Sequence, residues 1–275
     1  MNFPHLAAAI FAAGTLGTVA SPAPVHVQEL PDHTPFTRVL EQVVEGQRVD
    51  YQKLAGLRRD LDRYIASLGN TPAAALESAP THDRLAFWIN AYNACMLKVV
   101  LDHYPIRRGG AGIFAAIRNW FAGYPANSVW QIADVFGRKH CPVAGAPRSQ
   151  DEIEHEIIRP RFQDPRIHFA VNCAARSCPV LWPEAYEGAR LDAQLERSIR
   201  TLVTNPEHFR IEPGPPATLH LNKVLDWYQD DFGGLDGVKA FLADYVGEAD
   251  RARLLRSDTS VSFFEYDWTL NDVAR

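Results

Sequence analysis

The stretch that decides the fold runs from Thr81 to Tyr104, THDRLAFWINAYNACMLKVVLDHY. Leu85, Trp88, Ile89, Tyr92, Met96, Val99 and His103 recur at three-to-four spacing and Pro105 ends the run, so the pattern predicts a helix. Arg84, Lys98 and Asp102 make only a narrow charged stripe. A helix with so little polar surface is expected to be surrounded by protein on most sides. Asn90 and Asn93 then fall on an uncharged flank and are expected to be buried amides that need partners. Two readings stay open for them: they tie the helix to a neighbouring loop, or they line a binding site.

Toward the N-terminus, Phe36, Val39, Leu40 and Val43 begin a helix that Gly46 stops. Val49 to Tyr51 reads as extended, and Leu54, Leu57, Leu61, Tyr64, Ile65 and Leu68 predict a second amphipathic helix ending at Gly69-Asn70. Residues 24–35 form a Pro-rich lead. Ahead of it, Leu6 to Ala20 is apolar and small, and the first formally charged residue is Glu29. This predicts a secretory signal peptide over residues 1–23, too short to remain as a span. The expected location is the periplasm or the exterior, with no stable membrane span in the mature chain.

Toward the C-terminus, Ile106 to Val129 is rich in glycine and aromatic residues and reads as a long loop with one short helix. Trp130 to Val143 has strand character. Ser149 and Glu152 have the spacing of a capping box opening a helix that runs to about Arg159, before Pro160. Arg166 to Asn172 alternates, with Ile167, Phe169 and Val171 on one side and His168, Ala170 and Asn172 on the other, which predicts a strand. A helix through Leu191, Leu195, Ile199 and Leu202 follows, then a hairpin of Phe209–Ile211 with Thr218–Leu221, a cap at Asn222, a last helix at Val238–Tyr245 and a final strand at Val261–Trp268. The sum is one α+β domain over residues 36–275, helix-rich with a small, mostly antiparallel sheet.

Composition narrows the function classes. The 275 residues are 47% hydrophobic and carry 28 Lys+Arg against 33 Asp+Glu, a net charge of −5. With no long basic run, the whole-chain balance gives no electrostatic reason to expect nucleic acid or an anionic membrane surface. No Gly-rich phosphate loop, HExxH helix or GxSxG elbow appears, so no cofactor is expected.

The residues suited to chemistry cluster between Asp151 and Cys178. Strand alternation would put His168 and Asn172 on one face, with Cys173 following where a turn exposes its sulfur. A thiol, an imidazole and an amide are the parts of a nucleophilic cysteine site. Papain- or transglutaminase-like architecture is the analogy. The competing reading is a Cys173–Cys178 disulfide stapling the turn. Four-residue spacing stacks Asp151, His155 and Arg159, either as a surface charge ladder or as an acid/base pair facing the Cys loop through Asp151 or Glu154. Zinc held by His155, His168, Cys173 and Cys178 is a minor reading, because the spacing is not a compact finger pattern; no metal is assigned. Cys95, inside a helical pattern, is expected as a buried free thiol, leaving Cys141 unpaired. Asp267 caps a turn or orients a histidine.

Four blocks together carry a resemblance: Phe87-Trp88-Ile89-Asn90-Ala91-Tyr92-Asn93-Ala94; Ile153-Glu154-His155 through Arg159; His168 to Cys173 with Ser177-Cys178-Pro179; and Tyr266-Asp267-Trp268-Thr269-Leu270-Asn271. In order and spacing the chain resembles domain-of-unknown-function family 547 (DUF547), from about Asp50 to Asn271. The family occurs in exported bacterial proteins and in plant proteins, and the resemblance implies which residues to test rather than a reaction. They are Asn90, Asn93, His155, Arg159, Asn172, Cys173, Cys178 and Asp267. The expectation is a cysteine-dependent hydrolase or acyltransferase acting on an amide or thioester. Cys173 would be the nucleophile, His155 or His168 the base, and Asp267 or an asparagine the orienting group. The alternative is a non-catalytic envelope module that binds a small molecule or peptide beside a stapled loop.

Overall fold

The computed structural model describes residues 30–274; the signal peptide read over residues 1–23 lies outside them. Helix Thr34–Val43 buries Phe36, Val39, Leu40 and Val43, the stripe that its spacing dictates. The second amphipathic run divides into Tyr51–Gly56, capped by the Asp50 carboxylate on Lys53 N at 2.8 Å, and Arg58–Gly69. Between them Leu57 leaves helical geometry, with φ −99° and ψ 10°. Helix Thr81–Asp102 is covered on nearly every side, from Leu85 through Leu101. Around it packs a first apolar cluster that includes Leu40, Leu61, Phe87, Ile153 and Leu195.

A second cluster forms where helices Leu191–Thr204, Leu235–Ala243 and Glu248–Leu254 meet a three-stranded sheet. Phe209–Glu212 pairs antiparallel with Thr218–Leu221, Phe209 facing Leu221. Ser260–Phe263 joins the other edge in parallel, with Leu219 opposite Val261. The arrangement is α+β, with small and mostly antiparallel sheets. The helix Glu248–Leu254 was not expected, and the last strand stops at Phe263 rather than Trp268.

Three further expectations are corrected. Trp130–Val143 is not one strand: a 3-10 turn at Val129–Gln131 precedes a short strand, Cys141–Val143, paired with Ala146–Arg148. That hairpin lies across the end of helix Arg58–Gly69, where Ala144 N and Gly145 N donate to the carbonyls of Leu68 and Gly69, both at 2.9 Å. A side chain at Gly69 would meet Pro142 at 3.0 Å. The same hairpin carries Cys141 to Cys95, Cα–Cα 5.8 Å, and the two are disulfide-bonded. Cys95 is therefore neither free nor partnerless; a long loop returns a hairpin to it, which helical spacing alone cannot reveal.

Arg166–Asn172 is not a strand either. Asp164 accepts from Arg166 N and starts a 3-10 helix, Pro165–Phe169. Both sides of the segment are buried: Ile167, Ala170 and Val171 enter the first apolar cluster and Phe169 the second. Alternation here records two cores rather than one wet and one dry face. No sheet supplies its backbone partners; Asn93 does, donating to Ala170 O at 2.9 Å and accepting from Asn172 N at 2.9 Å. Asn90 does the same at Tyr186, donating to its carbonyl and accepting from its N–H, both at 2.8 Å. Both amides thus tie the helix to loops. Asn93→Ala should leave two buried backbone groups unpaired and cost about 3 kcal/mol, measured by urea unfolding. A loss under about 1 kcal/mol would mean that water replaces the amide.

Candidate functional site

The capping box forms as its spacing requires: Ser149 Oγ accepts from Glu152 N at 3.1 Å and Glu152 Oε2 accepts from Ser149 N at 3.0 Å. The helix it opens is wider than expected. Glu152–Ile158 is a π-helix, with Arg159 N donating to Glu154 O, and it continues through Pro160 as Arg159–Phe162. Such turns are frequent at functional sites. Here the element carries Asp151, Glu154 and His155 into one cleft.

That cleft has a volume of about 370 Å³ and is lined by Glu154, His155, His168, Cys173 and Cys178 together with an aromatic wall. The 165–172 segment, pinned at the junction of the two cores, sets His168 in its floor. His168 is almost fully buried. Its Nε2 lies 2.7 Å from Asp231 Oδ2, its Nδ1 lies 4.0 Å from Glu154 Oε1, and its ring stacks on Tyr228 with centroids 3.9 Å apart. Arg159 grips Asp231 with two bonds, Nε to Oδ2 at 2.7 Å and Nη2 to Oδ1 at 2.8 Å, and its Nη1 meets His155 Nδ1 at 3.1 Å. His155 also lies 3.9 Å from Asp151.

These contacts set protonation. Burial lowers the His168 pKa to about 4, and the Asp231 bond only partly offsets it. Asp231 itself is lowered to about 2, chiefly by Arg159. Because Arg159 already balances the carboxylate, a proton on His168 would add an uncompensated buried charge. At neutral pH the imidazole is neutral, its Nε2–H donates to Asp231, and Nδ1 is left as an unpartnered buried acceptor. Glu154 is raised by burial, partly countered by hydrogen bonds from Tyr228 and Tyr92. Since the folded-state pKa of His168 lies below its unfolded value, its contribution to stability is full above pH 6.5 and is lost as pH falls toward 4. The loss should be about 3 kcal/mol. His33 and His208, also lowered by burial, act with the same sign. The difference between wild type and His168→Gln in urea unfolding at the two ends of that range isolates the effect; parallel curves would exclude it.

Cys173 and Cys178 form the second disulfide, Cα–Cα 6.4 Å. Cys173 is partly exposed to the cleft while Cys178 is buried. The group hydrogen-bonded to both sulfurs is the Tyr266 hydroxyl, 3.2 Å from Cys173 and 3.1 Å from Cys178; the imidazoles share the cleft without bonding to either sulfur. Asn172 shapes the loop, with Nδ2 donating to Pro179 O at 2.7 Å and Oδ1 accepting from Ala174 N at 2.9 Å. Asp267 sits outside the cleft lining, its carboxylate accepting from Thr269 N at 2.9 Å in a local turn. The carboxylate that orients an imidazole is Asp231, from the short Gln229–Phe232 turn. Among the described residues no group of three His, Cys, Asp or Glu could hold a metal ion, and no helix is long and apolar enough to cross a membrane.

Sequence reasoning missed Asp231 and the aromatic wall. Asp230-Asp231 reads locally as solvated surface, and no spacing rule links it to His168. Tyr266 and Trp268 did carry a signal. In extended backbone, residues two apart share a face, so Tyr266 and Trp268 point into the cleft as Asp267 points away. Trp268 packs on Trp130 at 5.3 Å, Trp227 at 5.7 Å and Tyr266 at 4.5 Å.

Residues 76–203 match the family model described as "Protein of unknown function, DUF547", a narrower span than the resemblance from Asp50 to Asn271. That span supplies Tyr92, Glu154, His155, His168 and both sulfurs; Tyr228, Asp231, Tyr266 and Trp268 come from beyond it. No curated protein and no solved structure matches the chain.

Proposed function

This chain is a DUF547 domain-containing protein, and we propose that its cleft is a thiol-dependent acyl-transfer site, a hydrolase or acyltransferase acting on an amide or thioester. One observation carries the reading: a partly exposed sulfur, Cys173, shares a cleft of about 370 Å³ with an imidazole whose partner carboxylate is fixed at 2.7 Å. The described disulfide is the resting form. An external thiol reductant opens the Cys173–Cys178 bond and frees two thiols, with the Tyr266 hydroxyl between them. Cys173 Sγ then bonds to the acyl carbon and the C–N or C–S bond breaks. An imidazole transfers the thiol proton to the departing amine or thiol. Water, or a second amine or thiol, takes the acyl group from sulfur. Neutral His168 with a free Nδ1 suits the base, and Asp231 is its orienting group.

The test is labelling of the full chain by a thiol-directed acylating probe before and after reduction, read by peptide mapping. Label on Cys173 only after reduction supports the proposal; label shared evenly among the four cysteines counts against it.

The aromatic wall and the closed disulfide favour a second reading, a non-catalytic module that binds a small molecule or peptide. It expects ligand binding that survives in the oxidised protein and no turnover in the reduced one. Export to the periplasm or exterior is also proposed. It is supported by the apolar stretch Leu6–Ala20 in the sequence and by two disulfides that need an oxidising compartment. N-terminal sequencing of protein recovered outside the cytoplasm tests it, and an intact Met1 there would overturn the cleavage.

A further inference from the structure

The helix Ile113–Phe121 is built inside out. Ile113, Phe114, Ile117, Trp120 and Phe121 are 71, 86, 50, 64 and 77% exposed. At 3.6 residues per turn these five occupy one stripe roughly 120° wide. The polar Asn119 faces inward instead, fully buried and donating to Trp130 O. A surface helix ordinarily turns its apolar stripe to the core, so this one asks for an apolar medium outside.

The surrounding charge names the medium. From Pro105 to Ala133 the chain contains Arg107, Arg108 and Arg118 and no acidic residue. All three arginines are exposed, and none is ion-paired among the described residues. The net charge of −5 conceals this patch: Asp272, which shares a cavity with Arg107 and Arg108, is buried and accepts from the Tyr104 hydroxyl, and acids farther away are screened beyond about 8 Å at physiological salt. A projecting apolar stripe with a tryptophan, one arginine on its own helix and two more in the segment leading into it suits anionic headgroups over acyl chains.

We infer that Ile113–Phe121 is an interfacial helix that docks on the surface of an anionic lipid bilayer, with its apolar stripe at the acyl boundary and the three arginines among the headgroups. The inference is independent of the chemistry in the cleft. It does bear on access: Asn119 is bonded to the backbone of Trp130, whose ring lines the cleft, so docking would bring the aromatic wall close to the bilayer.

The test uses the full chain, so that any lipid affinity of its apolar N-terminal stretch is constant across variants. The probes are phosphatidylcholine vesicles, with and without a minority of phosphatidylglycerol, carrying brominated acyl chains that quench buried tryptophan. Quenching should appear on the anionic vesicles and fall in Trp120→Phe. Replacing Arg107, Arg108 and Arg118 with glutamine should weaken partitioning about a hundredfold on anionic vesicles, with little change on neutral ones. Phe114→Asp with Phe121→Asp should weaken it at least about tenfold; these side chains are exposed, so circular dichroism should be unchanged. Three results would overturn the inference: no Trp120-dependent quenching; equal quenching on both vesicles that ignores the arginines; or a dimer in sedimentation that the aspartate variant dissolves while lipid binding stays the same, which would make a second copy the occupant.

Discussion

Cys173→Ala should reduce turnover of the reduced protein on acyl thioesters and activated amides by about four orders of magnitude or more, the scale seen when a covalent nucleophile is removed. Cys178→Ala should behave in the opposite way. With its partner gone, Cys173 cannot be closed into the Cys173–Cys178 pair, so the variant should be active without reductant. The contrast separates a nucleophile from a staple. A purely structural pair predicts similar behaviour from the two variants, because each breaks the same bond. The Tyr266 hydroxyl touches both sulfurs, so loss of that contact cannot mimic the asymmetry. Equal, reductant-independent activity in both variants would remove Cys173 from the mechanism.

Loss of the other disulfide should be the largest single stability effect. Cys95–Cys141 spans 46 residues, for which the loop-closure model gives about 4 kcal/mol. It joins the buried middle of Thr81–Asp102 to the hairpin that closes the end of Arg58–Gly69, so its removal loosens two helices at once. The Cys95→Ala, Cys141→Ala double variant should shift the urea midpoint accordingly while leaving Cys173 labelling after reduction intact. A change under about 1 kcal/mol would mean that the pair does not constrain the unfolded chain. The acid sensitivity from His168 has a different origin, buried neutral imidazole, and should persist in this variant.

Local rules explain much of the fold. Three-to-four spacing fixed the buried faces of Thr34–Val43 and Arg58–Gly69, the Ser149/Glu152 spacing gave the capping box, and Asn222 caps the next turn by accepting from Val224 N at 2.9 Å. The failures share a cause. Alternation at Arg166–Asn172 suggests a strand, but two cores cover the segment and a side-chain amide stands in for a neighbouring strand. Pro160 did not stop its helix; it falls where π geometry gives way to α geometry.

Whole-chain charge was the least informative quantity, since it averaged away the basic, acid-free stretch around Ile113–Phe121. The amino-acid order by itself determined where helices such as Thr34–Val43 and Thr81–Asp102 begin, which of their faces are apolar and which short blocks carry sulfur and imidazole, because these depend on neighbours within a few residues. Only tertiary packing decided which carboxylate meets His168, which cysteine meets Cys95, and that Tyr266 rather than Asp267 faces the sulfurs. Those pairings join residues tens of positions apart, and their energies exist only after two cores have closed around one cleft.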